Sequence, residues 1–458
     1  MICLRLFPLL FFILLAPGMV FVEELSLDRA VELAITRSGE VRIREMESRK
    51  AEYALNEAKS KRLPRLEVQG SASLMSNPPE GIKITKGAFG YAPTPQSVAP
   101  VAFPDQDYVI IEDAENTYFK LKATLSQPIF TSGKINAGVE LASLERDISR
   151  GELEAVRLEK ARDTREVYYS VLFAENSVRL MQEAEKVLIQ ITQDRETSFD
   201  EGLITREEVL EAKANLAGIV GRKIESKEGL RQSRETLSYL TGSNVKEMEL
   251  ITPFHTELPE LNVEKLKEKA ITRFPELNIL FKRLRQALAD RELKKGSSPF
   301  HPELFLDLTL DITGGRVPIV GSNWLDTWDA NLILSIGTRL KVFDSGESKA
   351  KLASADESIR IAQEGIKNLI EGLELKVSSA VESVRTGYYR MKEKEAHKEL
   401  AEERYRNALL SFQNELITRE EERWAKVAEI TATIDLLLVQ YQYEKALTEL
   451  YYLTGELY

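Results

Sequence analysis

Two groups of carboxylates stand at matching places in the chain. Glu207, Glu208 and Glu211 follow one Leu-Ile-Thr tripeptide, and Glu420, Glu421 and Glu422 follow another. Glu208 and Glu211 are spaced as an acid and base pair could be. No nucleophile motif, phosphate-cradling loop or cleft-forming α/β pattern accompanies them, and His255, His301 and His397 lie too far apart for a metal-ligand spacing. The sequence therefore predicts no catalytic residue, no metal and no cofactor. Two uses remain for the carboxylates. Each can complement the positive end of a helix dipole, or an oligomer can gather copies around one axis into acidic rings that favour cations. Glu208, Glu211 and Glu421 are the candidates for such a ring.

The elements that carry these residues come in two copies. EGLITREE at 201–208 recurs as NELITREE at 414–421, an offset of 213 residues. The same offset aligns IFTSGK at 129–134 with VFDSGE at 342–347, and YLTG at 239–242 with YLTG at 452–455. Near the start of each copy AITRSGE at 34–40 matches AITRFPE at 270–276 at an offset of 236, so the first copy holds about 23 extra residues, mostly in a proline-rich and acidic loop over 76–117. Each copy reads as short helix, strand, loop, strand, long helix, short helix. The expected helices are 27–62, 133–199 and 206–240, then 263–297, 346–412 and 419–453. At 1.5 Å per residue the long helices span ~100 Å and the short ones ~53 Å, so two short helices end to end match one long one. A seven-residue rhythm runs through Val167, Val171, Ala174, Val178, Met181 and Leu188, and through Ile366, Leu369, Leu373, Val377, Ala380, Val384 and Met391. That is coiled-coil packing.

Four segments alternate with a period of two. Leu66, Val68, Gly70, Ala72 and Leu74 oppose Glu67, Gln69, Ser71 and Ser73, while Phe119, Leu121, Ala123 and Leu125 oppose Lys120, Lys122, Thr124 and Ser126. Leu304, Leu306, Leu308, Leu310 and Ile312 oppose Phe305, Asp307, Thr309 and Asp311, and 331–340 is compatible. Length and alternation suit transmembrane strands, which need about 9–11 residues. Four strands cannot close a barrel, and open edges are not tolerated in lipid. Two copies would give eight strands and a filled interior, whereas three give twelve and a conduit. A homotrimer is the smallest assembly that conducts.

Of 458 residues, 43% are hydrophobic and 29% charged, which excludes a disordered chain. Residues 1–18 read as a cleavable secretory signal, with Arg5 before an apolar run broken by Pro8, Pro17 and Gly18. Cys3 falls inside it, so a mature chain starting near Met19 is expected to be unlipidated and free of disulfides. Losing this segment removes only Arg5 and moves the net charge from −11 to −12, a poor match for nucleic acid. The expected organisation is a signal peptide over 1–18, a first repeat over 19–242, a linker over 243–262 and a second repeat over 263–458.

The doubled plan, the Phe199–Thr205 turn of FxxGLIT type, the PIFTSGK strand exit and the YLTG helix ends together resemble the TolC-like outer membrane efflux protein family over nearly the whole mature length. The resemblance implies a mostly α fold with a small β part, in which long coiled-coil-like helices form a periplasmic α-barrel. Four strands per chain contribute to a trimeric twelve-stranded β-barrel in the outer membrane of a Gram-negative-type bacterium. It further implies a passive exit duct for small molecules, docked to a periplasmic adaptor and an inner-membrane pump. Adaptor-facing turns would be Gly202, Leu203, Ile204 and Thr205, with Leu416, Ile417 and Thr418 in the second copy. Prolines mark helix to strand junctions in this family, matched by Pro64, Pro128 and Pro302, while Lys341 stands at the fourth position. The family's closed tip is lined by acidic residues at places matched by Glu208 and Glu421, but Trp424 stands where another acid is typical. A duct for secreted polypeptides is the near alternative. A periplasmic adaptor, with one hairpin and compact β domains, or a coiled-coil rod, would be a different class.

Overall fold

The computed structural model describes residues 24–92, 101–246, 248–316, 326 and 328–457. The expected signal over 1–18 and the start at Met19 lie outside the described residues. The chain divides into two compact units. One gathers the chain up to Ser48, Ile148–Phe281 and everything from Glu364 on; the other holds Arg49–Asp147 and Lys282–Gln363.

The helices repeat residue for residue. α1 (Leu27–Arg37) and α2 (Gly39–Ser60) are followed, after the first pair of long strands, by α3 (Lys134–Asp200) and α4 (Arg206–Thr241). The second copy supplies α5 (Val263–Arg273), α6 (Pro275–Gly296), α7 (Glu347–Gln413) and α8 (Arg419–Thr454). α3 and α7 have 67 residues each, and α4 and α8 have 36 each. Backbone conformation keeps the same register. Ser132 and Gly133 precede α3 at φ 50 and 81°, Ser345 and Gly346 precede α7 at 53 and 87°, and Gly242 and Gly455 end α4 and α8 at 60 and 68°. Left-handed residues at such ends satisfy the last helix carbonyls and turn the chain away.

The expected single helices over 27–62 and 263–297 are each broken in two. Ser38 and Phe274 leave the helix with ψ of 126 and 117°. In the second copy the cause is Pro275, whose ring excludes the helical region for the residue before it. Ser38 bends the same way ahead of a glycine. The starts of α1 and α5 are capped: Ser26 accepts from the Arg29 N–H, and Asn262 from the Lys265 N–H.

The first unit is held by heptad residues. Val171, Ala174, Val178, Met181 and Leu188 on α3, and Ile366, Leu373, Val377, Ala380, Val384 and Met391 on α7, are all buried, whereas Val167 and Leu369 are half-buried. One cluster packs α7 and α8 around Tyr443 against Leu266, Ala270 and Phe274; its counterpart packs α1, α3 and α4 around Tyr168 and Tyr169. The chain between the repeats is pinned there. β1 (Glu24–Leu25) pairs in parallel with β8 (Glu249–Leu250). The Tyr168 hydroxyl donates to the Leu25 carbonyl at 2.8 Å and accepts from the Thr252 N–H at 3.0 Å. The buried Glu444 carboxylate takes the His255 N–H and lies 2.8 Å from His255 Nδ1.

The second unit is built on an antiparallel sheet in the order β10-β9-β7-β2, formed by β2 (Arg65–Leu74), β7 (Thr117–Phe130), β9 (Glu303–Gly314) and β10 (Trp328–Arg339). Its register lines the alternating residues into rows. Leu66, Leu125, Leu308 and Leu334 form one row across all four strands, and Val68, Ala123, Leu310 and Leu332 form the next on the same face. The opposite face carries Arg65, Ser126, Asp307 and Ser335, then Gln69, Lys122, Asp311 and Asn331. Ser126 Oγ donates to Asp307 at 2.6 Å and Lys120 meets Asp311 at 3.1 Å on that polar face. β2 and β10 are the outer strands. Between β2 and β7, the loop expected over 76–117 contains short hairpin strands: β3 (Ile82–Ile84) pairs with β6 (Tyr108–Ile111), and β4 (Tyr91–Ala92) with β5 (Val101–Ala102). Pro64 lies between α2 and β2, and Pro302 directly precedes β9. Pro128 sits inside β7, where the register with β9 shifts between Pro128 and Phe130. The missing N–H makes proline fit such a bulge.

Candidate functional site: the paired helix turns

Each acidic group sits on a turn that closes a long helix and opens a shorter one. At the end of α3, Leu203 N–H reaches back to the Ser198 carbonyl at 2.8 Å and Gly202 N–H to Phe199 at 2.9 Å. After α7, Leu416 bonds Ser411 and Glu415 bonds Phe412, both at 2.9 Å. This paired bonding is the Schellman turn, which needs a left-handed residue. Gly202 supplies it at φ 74°, but the second copy uses Glu415 at 59°. Leu203 and Leu416 project from the two turns at 71% and 75% exposure, with Ile204 and Ile417 half-buried beside them.

Thr205 and Thr418 then start α4 and α8 with a reciprocal cap. Thr205 N–H and hydroxyl donate to Glu208 at 2.7 and 2.9 Å, and Glu208 N–H donates back to Thr205 Oγ1 at 3.4 Å. Glu421 repeats this with Thr418 at 2.8, 3.0 and 3.2 Å. Threonine followed by glutamate three residues on is the capping box. The bonds from the threonine backbone N–H, and then its hydroxyl, hold both carboxyls below the ordinary pKa of 4.5. Both therefore stay ionised at neutral pH.

Glu211 belongs to a different device. Arg195 on α3, only 15% exposed, lies 3.0 Å from Glu211 on α4 and 2.7 Å from Glu420 on α8. It also donates to the Glu208 carbonyl at 2.7 Å. One guanidinium thus joins three helices, and its fork suits several acceptors at once. Asp194 and Arg423 add a second link between α3 and α8. Beneath this layer lie Ala184, Leu188, Ile191, Ala212, Ile219 and Ile430, with Trp424 packed on their edge and its indole N–H 3.2 Å from Glu420. Sequence reading found the turns and Glu211 but missed Arg195, Asp194 and Arg423. The residue 213 places after Arg195 is Ala408, so comparing the chain with itself passes over it.

Nothing in this arrangement resembles a reaction centre: the carboxylates are occupied by caps and ion pairs, and no acidic, histidine or cysteine cluster able to hold a metal occurs among the described residues. No helix among the described residues is long and apolar enough to cross a membrane, a fact that leaves strands untouched.

The family model described as outer membrane efflux protein matches residues 30–243. A comparison with curated protein sequences finds no match. Among solved structures, the CmeC outer membrane channel of Campylobacter jejuni is similar at TM-score 0.74 and 17% identity, over 94% of this chain and 85% of that one. The outer membrane protein VceC of Vibrio cholerae is similar at TM-score 0.71 and 17% identity, over 94% and 96%. The MtrE outer membrane channel of Neisseria gonorrhoeae follows at 0.70 and 14%, over 94% and 88%. At these identities the structures establish a shared fold, here along both halves of the chain. Residues 30–243 thus match the outer membrane efflux protein family, and the fold of such channels runs through both halves of the chain.

Proposed function

We propose that three copies of this chain close a twelve-stranded barrel in the outer membrane and act as a passive exit duct for small molecules, supplied by an inner-membrane pump through a periplasmic adaptor. The observation that carries the reading is the four-stranded sheet. Its rows divide into an apolar and a polar face, and among the described residues its outer strands β2 and β10 have no partner on their outer edges. In lipid each free N–H and C=O on those edges costs several kcal/mol, so the edges must be joined. Pairing β2 of one copy with β10 of the next joins every edge, and three copies are the fewest that leave an open lumen. The apolar rows then face lipid and the rows holding Asp307, Asp311 and Lys122 face water.

On this reading Glu208, Glu211 and Glu421 help line the periplasmic tip and tune cation passage, and the exposed Leu203 and Leu416 offer the adaptor an apolar foothold on each turn. The test is purification in detergent followed by mass measurement and single-channel recording. A trimer that conducts in planar bilayers supports the duct. A stable monomer, or a trimer without conductance, refutes it. Adaptor and pump should be recovered by cross-linking from membranes, and loss of recovery on replacing Leu203 and Leu416 with Asp would assign the turns.

A further inference from the structure

One stretch runs against the acidic balance of the chain. Lys59-Ser60-Lys61-Arg62-Leu63-Pro64-Arg65 has four basic residues and no acidic one in a protein of net charge −11. It covers the last turn of α2 and the first residue of β2, and all four basic side chains are exposed. A cation at the end of α2 is explained by the helix dipole; Arg62 and Arg65, beyond the helix, are not. Lys59 and Arg65 have no ion-pair partner among the described residues, and Lys61 reaches Glu57 only at 4.0 Å. Lys61 and Arg65 line a groove of about 640 Å³ with Ser60, Leu63, Pro64 and Pro128; its one acid, Glu57, faces Lys61, so the lining keeps a net positive charge. Leu63 and neighbouring Ile129 are exposed.

The other helix to strand junction at this end of the sheet shows the same mixture. Phe300 has φ 63° and is 72% exposed, its N–H bonded to the Lys341 carbonyl at 2.9 Å. A bulky residue in the left-handed region is strained, and here the strain holds an aromatic ring outward. Phe343 is 80% exposed close by. Aromatic rings beside cations at the ends of spanning segments mark a membrane interface.

We propose that this groove seats the phosphate headgroup of an anionic phospholipid in the leaflet facing the helices, with its acyl chains along Leu63 and Ile129. The inference rests on the sheet being the membrane-crossing part. Charge argues for lipid over a second copy of the chain. In a closed barrel the edge brought to β2 is that of β10, which ends in Arg339 and leads to Lys341, so a neighbour adds more positive charge. The nearest acids after Lys341 are engaged locally, Asp344 with Ser348 and Glu347 with Lys351.

The test is native mass spectrometry of the full-length assembly in detergent, titrated with phosphatidylglycerol or phosphatidylcholine, for the wild type and a Lys59→Gln/Lys61→Gln/Arg65→Gln variant. The wild type should retain phosphatidylglycerol in preference, lose that preference in high salt, and be indifferent to inorganic phosphate. The variant should lose about fivefold in preference per charge removed. Equal retention by the variant overturns the inference. So does competition by inorganic phosphate, which would mark a free-anion site, or dissociation of the variant trimer regardless of lipid, which would mark a subunit contact. Should the variant chain fail to fold, so that neither monomer nor trimer is recovered, the wild-type salt and lipid titration decides alone. Conductance of the wild type, recorded separately, distinguishes failure of this site from failure of the duct.

Discussion

Replacing Arg195 by Met should open the tip. The side chain keeps its length but loses a guanidinium that is 15% exposed and ties α3 to both α4 and α8. Its bonds to Glu420 at 2.7 and 2.8 Å are charge-assisted and half-shielded, so they account for about 2 kcal/mol. The bond to the Glu208 carbonyl adds about 1 kcal/mol. The contact with Glu211 adds little, because that carboxylate is 64% exposed and screened by solvent. A loss of about 3 kcal/mol corresponds to roughly a hundredfold rise in local opening. Hydrogen exchange read by mass spectrometry should show that rise over 198–210 and 414–424, with α1 and α5 unchanged. In bilayers the same variant should conduct more, if the turns gate the pore. Uniform destabilisation of the whole chain, or unaltered exchange at the turns, would refute the assignment of Arg195 as the tie.

Glu208→Ala together with Glu421→Ala should lower the cation-to-anion permeability ratio if these carboxylates line the proposed gate; an unchanged ratio in normally assembled trimers leaves them as caps alone. Because both pKa values are depressed, the caps are intact above about 4.5 and are lost as pH falls through the folded values, so exchange at the turns should rise in acid. Glu415→Gly should raise stability by about 1 kcal/mol, seen as a higher melting temperature, by removing a side chain from a left-handed position. His255 is the reverse case. Its hydrogen bond to Glu444 raises its pKa above the ordinary 6.5, against burial and the charge of Arg165. Its contribution is therefore complete below 6.5 and lost as pH rises through the folded value, and thermal melts of His255→Gln should lack that alkaline decline.

Much of this architecture is legible in the sequence, because repetition and periodicity are global signals. The 213-residue offset located both turns, the acidic residues that follow them, and the helices of 67 and 36 residues on either side. Alternation found the strands, although β7 runs through Pro128 beyond the expected end at 126. Interruptions with one-residue causes were harder to see. Pro275 announces the break before α6, but Ser38 carries no comparable mark. The ionic layer at the turns was illegible for a different reason: Arg195, Glu211 and Glu420 meet only through helix packing, and Arg195 and Glu211 correspond to Ala408 and Trp424 in the other copy, so the repeat does not flag the set.

The equal lengths of α3 and α7, and of α4 and α8, decide where this chain can change size. One residue added inside α3 would rotate everything after it by about 100° and advance it by about 1.5 Å, turning buried positions such as Leu188 toward water and carrying Arg195 away from Glu420. Compensation would require whole heptads, which restore the facing side, added to each helix packed against it. Between β2 and β7 no such bookkeeping applies, and the 23 residues by which the first copy exceeds the second are accommodated there, in short hairpins, without disturbing a single helical register. Length can thus vary in that loop, whereas each helix is held to a fixed length by its packed neighbours.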